Sequence, residues 1–151
     1  MKSAGYSAAQ VRAEKFYRQS PELRFKAAIS SGVKLVMASW AVYPALDPSR
    51  PAGLSPTIIG GELRQRLGFA GVTITDALEA GALQAFGTTG QRAALAASAG
   101  MDLILCSSQD LDQGEQARTA LQQSLSHGTL NHAAFTVAVE RITSLRSSLR
   151  R

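Results

Sequence analysis

The residues able to do chemistry are few, and most have a structural use close at hand. In folds where parallel strands alternate with helices, reacting groups sit at the C-terminal ends of the strands. Three short apolar runs, VKLVMAS, GVTIT and DLILC, read as such strands, and their ends present Ser39 and Trp40, then Thr75 and Asp76, then Cys106 and Ser107. Asp76 is the only charged side chain among them, and the run before it carries no polar group beyond threonine. A carboxylate at a strand mouth can act as a nucleophile, as a general base or as an electrostatic stabiliser. The bland alternative is that Asp76-Ala77-Leu78-Glu79 opens a helix as a D-x-x-E capping box, with both acids satisfying free N–H groups. Spacing alone favours that alternative.

The remaining polar residues read as structure. Glu79 suits a capping partner better than an acid. Asp47 lies in a proline-rich stretch, where turn formation accounts for it. Asp102 begins the third run, at the end opposite the candidate chemistry, and reads as a stability residue. Cys106, the sole cysteine, excludes an internal disulfide and reads as a small buried hydrophobe. His127 precedes a glycine at a helix end and His132 follows a cap, so both read as surface structure. Thr88-Thr89-Gly90 can hold an anion at a helix start, but no phosphate-loop pattern accompanies it. The histidines do not have metal-ligand spacing, so no metal cofactor is expected.

The elements that must position these groups follow in a regular order. Ser20-Pro21-Glu22 starts a helix that stops at Gly32. The first run follows, then YPALDPSRPAGLSP, whose four prolines make it a loop. Ser55-Pro56 opens a second helix with Ile59, Leu63 and Leu67 on one face, closed by Gly68. The second run comes next, then a helix through QRAALAASA capped by Gly100, then the third run. Two helices close the chain, one near 109–126 and one from the Asn131 cap to about 149. The last carries a stripe of Phe135, Val139, Ile142, Leu145 and Leu149. Strands separated by single helices imply right-handed parallel crossovers. The fold class expected is α/β, with about three parallel βα units and two terminal helices. Three such strands leave two raw sheet edges, and a complete eight-stranded barrel needs about 250 residues.

Composition narrows the function classes. Of 151 residues, 45% are hydrophobic and only 6% aromatic, which suits helices on a sheet rather than a stacking platform for single-stranded nucleic acid. The net charge of +5 sits at the two ends, while residues 35–140 carry five arginines against nine acids. A basic groove for nucleic acid is therefore not expected. No apolar run reaches the roughly 20 residues that span a bilayer, and the first residues do not have the apolar stretch of a signal peptide, which makes a cytoplasmic location the default expectation.

A family resemblance decides what spacing leaves open. LVMASWAVYPALDPSRPAGLS resembles the family 3 glycoside hydrolase pattern of a strand ending near Ser-His, then Tyr-Pro, a proline-rich loop and Leu-Ser. ELRQRLGFAGVTITDALEAGAL resembles that family's Leu-Arg-x-x-Leu-Gly-Phe-x-Gly-Val-Val-Ile-(Ser/Thr)-Asp signature, and AALAASAGMDLILCS its Ala-Gly-x-Asp-Leu-Leu-Leu segment. The likeness runs in order over roughly residues 22–145. It implies the C-terminal part of a (β/α)8 barrel over 21–151, preceded by a basic segment at 1–20, with Asp76 as nucleophile of a retaining glycosidase. It favours the β-N-acetylhexosaminidase branch over the β-glucosidase branch, with a β-linked amino-sugar glycoside as substrate. Three positions depart from the pattern. Trp40 stands where His is frequent and can offer a flat face to a sugar ring, Ala77 stands where a second Asp often follows, and Ala80 replaces a frequent Met. The family's Lys-His-Phe-Pro-Gly-His-Gly region and its acid/base loop find no match, and one carboxylate alone cannot run the two-step reaction. The partners expected are thus a missing half-barrel or a second copy pairing at open sheet edges, with no nucleic acid or membrane. A truncated, non-catalytic or sugar-binding module is the alternative function.

Overall fold

The computed structural model describes residues 21–149, so the basic segment 1–20 lies outside the described residues. The chain divides into two units, one ending at Val33 and the other starting at Lys34. The described part of the first is helix α1, Pro21–Ser30. It stops where expected: Gly32 adopts φ 81° and Val33 N–H donates to Ala28 O at 3.1 Å.

The second unit is α/β with parallel strands. Strand β1, Leu35–Ala38, pairs in parallel with Val72–Thr75, with Leu35 opposite Val72 and Ala38 opposite Thr75. The run 102–106 lies on the other side of Val72–Thr75, so all three expected runs align. It is only partly a strand, joined by one parallel bridge between Ile74 and Leu103. Two buried hydroxyls intercept the ladder: Thr73 Oγ1 takes the Asp102 N–H at 3.0 Å and Thr75 Oγ1 takes the Leu105 N–H at 2.9 Å.

The proline-rich segment departs from the expected loop. Val42–Tyr43 (β2) and Asp47–Pro51 (β3) form an irregular antiparallel hairpin, followed by a short 3₁₀ turn at Ala52–Leu54. Prolines are tolerated there because a two-stranded ribbon has free edges that need no N–H donor. Asp47 holds the hairpin in shape, accepting from the Ser49 and Arg50 N–H groups and from the Ser49 and Ser55 hydroxyls. These bonds, led by that from Ser55, lower its pKa to about 2. Strand Val72–Thr75 is β4.

The next helix, Thr57–Arg66, is π-wound, and Leu67 N–H reaches Glu62 O five residues back. Ile59 and Leu63 are buried as the spacing predicts. After β4 comes a 3₁₀ segment, Gly81–Phe86, then helix α2, Thr89–Ala99, opened by a Thr88/Gln91 capping box and closed by Gly100 at φ 100°. Its small residues Gly90, Ala93, Ala96 and Ala99 form the buried face. Helices α3, Leu111–Ser126, and α4, His132–Ser148, carry Asp110 and Asn131 caps. The core comprises Ala38, Trp40, Leu54, Ile59, Leu78, Leu83, Ala93, Ala96, Met101 and Ala117. Helix α4 buries none of its residues completely: Phe135, Ile142 and Leu145 are half-buried, whereas Val139 and Leu149 stay exposed.

At the end of the sheet opposite Asp76, one buried carboxylate ties four elements together. Asp102, whose side chain is 1% exposed, binds Arg64 Nη2 at 2.6 Å, Arg141 Nη1 at 3.0 Å and the Thr73 N–H at 2.8 Å. Arg64 also donates to the carbonyls of Phe69 and Gly71. Burial lowers the Arg64 pKa, and Asp102 opposes that shift. Asp102→Ala would leave two guanidinium groups beside each other without their anion. It should lower unfolding free energy by about 3–5 kcal/mol, read as a reduced urea midpoint. Arg141→Met, at the more exposed end, should cost about 1 kcal/mol or less.

Candidate active site

Asp76 is the first residue beyond β4, at the C-terminal end of the aligned runs, and it is half-buried. Its backbone N–H donates to Ala38 O at 3.2 Å, which fixes it against the end of β1. Its Oδ1 accepts the next N–H, that of Ala77, at 2.7 Å. No helix begins here, so the expected capping box is not formed. The chain instead makes a tight turn through Leu78 and Glu79, with Ala80 N–H donating to Ala77 O.

The turn is held from every side. Leu78 is 0% exposed, its N–H donates to Leu105 O, and its O accepts from Arg92 Nη1 of α2 at 2.9 Å. Trp40, just beyond β1, donates its indole N–H to Ala77 O at 2.9 Å. Glu79 bonds across to the end of the third run, accepting from the Ser107 hydroxyl and N–H, and from Gln113 Nε2 at 2.8 Å. Gln113 is itself buried and accepts the Ser108 N–H. Glu79 therefore ties two strand ends together rather than capping a helix. The physical reason is that buried Leu78 pins the chain in a turn, which points the next side chain sideways.

These bonds decide what Glu79 can do. Ser107 first, then Gln113, hold its pKa at about 2, so it stays ionised at neutral pH and is no proton donor. The two histidines fall where their sequence context placed them. His127 ends α3 and His132 bonds Leu125 O, both at the surface. Cys106 is half-buried, and burial raises its pKa. Trp40 is only 8% exposed, and its ring lies on Gly53, where a Cβ would sit 2.5 Å from Trp40 Cζ3. Among the described residues, no group of three or more His, Cys, Asp or Glu is placed to hold a metal ion, and no helix is long and apolar enough to cross a membrane. Arg92 and Gln113 were not legible as site residues. Each acts over a long sequence separation from inside a helix, and neither pattern nor spacing marks it.

Known proteins similar to this chain agree with one another. The model of the glycosyl hydrolase family 3 N terminal domain matches residues 5–145. The chain belongs to glycosyl hydrolase family 3. An uncharacterized secreted glycosyl hydrolase of Arthroderma benhamiae is 48% identical over 132 residues, covering 87% of this chain and 37% of its own length. A beta-hexosaminidase of Nitrosomonas eutropha is 35% identical, covering 68% of this chain and 29% of its own. A family 3 beta-N-acetylglucosaminidase from Paenibacillus superposes with a TM-score of 0.78 at 36% identity, over 82% of this chain and 23% of that one. This family 3 chain thus spans little more than a third, at most, of the length of these relatives.

The Glu79 tie has a testable pH signature. Its folded pKa, about 2, lies below the ordinary 4.5. The stability it contributes is therefore fully present above about pH 4.5 and is lost as pH falls through 2. NMR titration of the Glu79 carboxyl should give a midpoint near 2, and Ser107→Ala should move it upward.

Proposed function

We propose that Asp76 is the nucleophile of a retaining glycoside hydrolase acting on β-linked N-acetylhexosaminides. On this reading the chain is the C-terminal part of a (β/α)8 barrel, spanning about three of its βα units. Asp76 attacks the anomeric carbon and forms a covalent glycosyl–enzyme, and water then releases the sugar. The observation that carries the reading is the placement of Asp76 in a family 3 chain: a half-buried carboxylate at the C-terminal end of the central strand, on a turn fixed by its neighbours. The names of the relatives and of the Paenibacillus structure support an amino-sugar substrate.

The acid/base group belongs to a part of the barrel other than these residues. Glu79, nearest in sequence, is held ionised and cannot protonate a leaving oxygen. The incomplete covering of α4 and the single bridge of the third run support a second piece of barrel docking beside them. By itself the chain should not turn over an unactivated glycoside.

The test is hydrolysis of chromogenic β-N-acetylglucosaminide and β-glucoside by this chain mixed with the remaining barrel portion of a family 3 relative. The amino-sugar substrate should be preferred, and Asp76→Asn should lower kcat on the order of 10⁴-fold. Restored activity that survives Asp76→Asn would overturn the assignment. A preference for the β-glucoside would place the chain in the other branch.

A further inference from the structure

Trp40 is the only tryptophan of the chain, and its ring is not free to face a ligand. It is 8% exposed and rests on Gly53 so closely that a methyl group there would collide with it. What it offers is its indole N–H, spent on Ala77 O at 2.9 Å, across 37 residues of sequence.

The consequence for Asp76 follows from the order of the peptide groups. The Asp76 N–H is fixed by Ala38 O, two residues before Trp40 on the same stretch of chain. The Ala77 carbonyl is fixed by Trp40 itself. Between these two anchors lies the peptide that bears the Ala77 N–H, which donates to Asp76 Oδ1 at 2.7 Å. With both neighbours held, that N–H cannot swing away, and it holds one carboxylate oxygen in place. The site thus has a preorganised acid at little cost in flexibility when substrate arrives.

We propose that Trp40 is a positioning residue for Asp76, setting the orientation of its carboxylate through the Ala77–Leu78 peptide, and that it is not a stacking face for sugar. The proposal rests on Asp76 being the nucleophile, and it extends that reading by assigning how the nucleophile is aimed. Gly53 is its necessary companion, because only a residue with no Cβ lets the ring lie where its N–H reaches Ala77 O.

The experiment has two arms. In the first, hydrogen exchange of the full chain is followed by NMR for wild type and Trp40→Phe, which keeps an aromatic ring but removes the donor. The Ala77 amide should exchange about tenfold faster, the order expected for one hydrogen bond, with the Val72 and Thr75 amides unchanged. An unchanged Ala77 amide overturns the proposal, and so does a uniform acceleration of all core amides, which marks packing alone. If Trp40→Phe does not fold, β-(3-benzothienyl)alanine at position 40 keeps the indole shape without its N–H, and the same outcomes apply. In the second arm, the reconstituted assay should show Trp40→Phe lowering kcat about tenfold with KM within about twofold. A raised KM with unchanged kcat would identify Trp40 as a substrate contact and overturn the proposal. Wild type without activity, beside an Ala77 amide that responds as expected, would remove the nucleophile reading and leave the hydrogen-bond coupling standing.

Discussion

The Asp102 carboxylate is the constraint on which the rest of the structure depends. It sits almost fully buried where the π-wound helix, β4, the third run and α4 converge, and it pairs with one arginine from each of the two helices. Removing a carboxylate from water costs several kcal/mol, which its hydrogen bonds and two guanidinium partners must offset. That requirement is geometric as well as energetic. Arg64 can satisfy Asp102, Thr73 and two carbonyls only if the π-wound helix and β4 hold one relative position. The register of the aligned runs is thereby set from the end at which no chemistry is expected.

The opposite end carries a different kind of order. There the ties are single hydrogen bonds, from Trp40 and Arg92 to backbone carbonyls and from Gln113 to the Glu79 carboxylate, each reaching the turn after β4 from a different element. Leu78 works as the peg: its side chain is in the core, while Ala77 before it is half-buried and Glu79 after it is exposed. Asp76 on one side stays half-buried, and Glu79 on the other is drawn to the neighbouring strand end. Two acids three residues apart thus acquire unlike environments from one buried leucine. On the proposed function, that difference separates the nucleophile from a structural carboxylate.

Much of this was legible in the sequence, for reasons that differ by element. The helix ends at Gly32 and Gly100 were plain because a left-handed residue there favours glycine. The three apolar runs declared themselves by composition, and the Leu-Gly-Phe-x-Gly to Thr-Asp block singled out Asp76 where spacing alone favoured a cap. The hairpin at 42–51 was hidden by its prolines, which argue against strands but are harmless at a ribbon edge. The truncation of the third run was hidden because Thr73 and Thr75 read as good strand formers, while their hydroxyls divert its N–H groups. The role of Glu79 was misread because a D-x-x-E spacing says nothing of the chain direction between its two acids.

The claim on which the functional account turns is that the Asp76 carboxylate bonds to sugar carbon. Peptide mapping by mass spectrometry, after incubation of the chain with a 5-fluoro N-acetylglucosaminyl fluoride, addresses it directly. Fluoride leaves without help from an acid, so the carboxylate–C1 bond can form as the C–F bond breaks, even without the acid/base group. One added sugar on the peptide containing Asp76, absent in Asp76→Asn, is the expected result. A sugar carried by any other residue, or the same adduct formed by Asp76→Asn, would contradict the account.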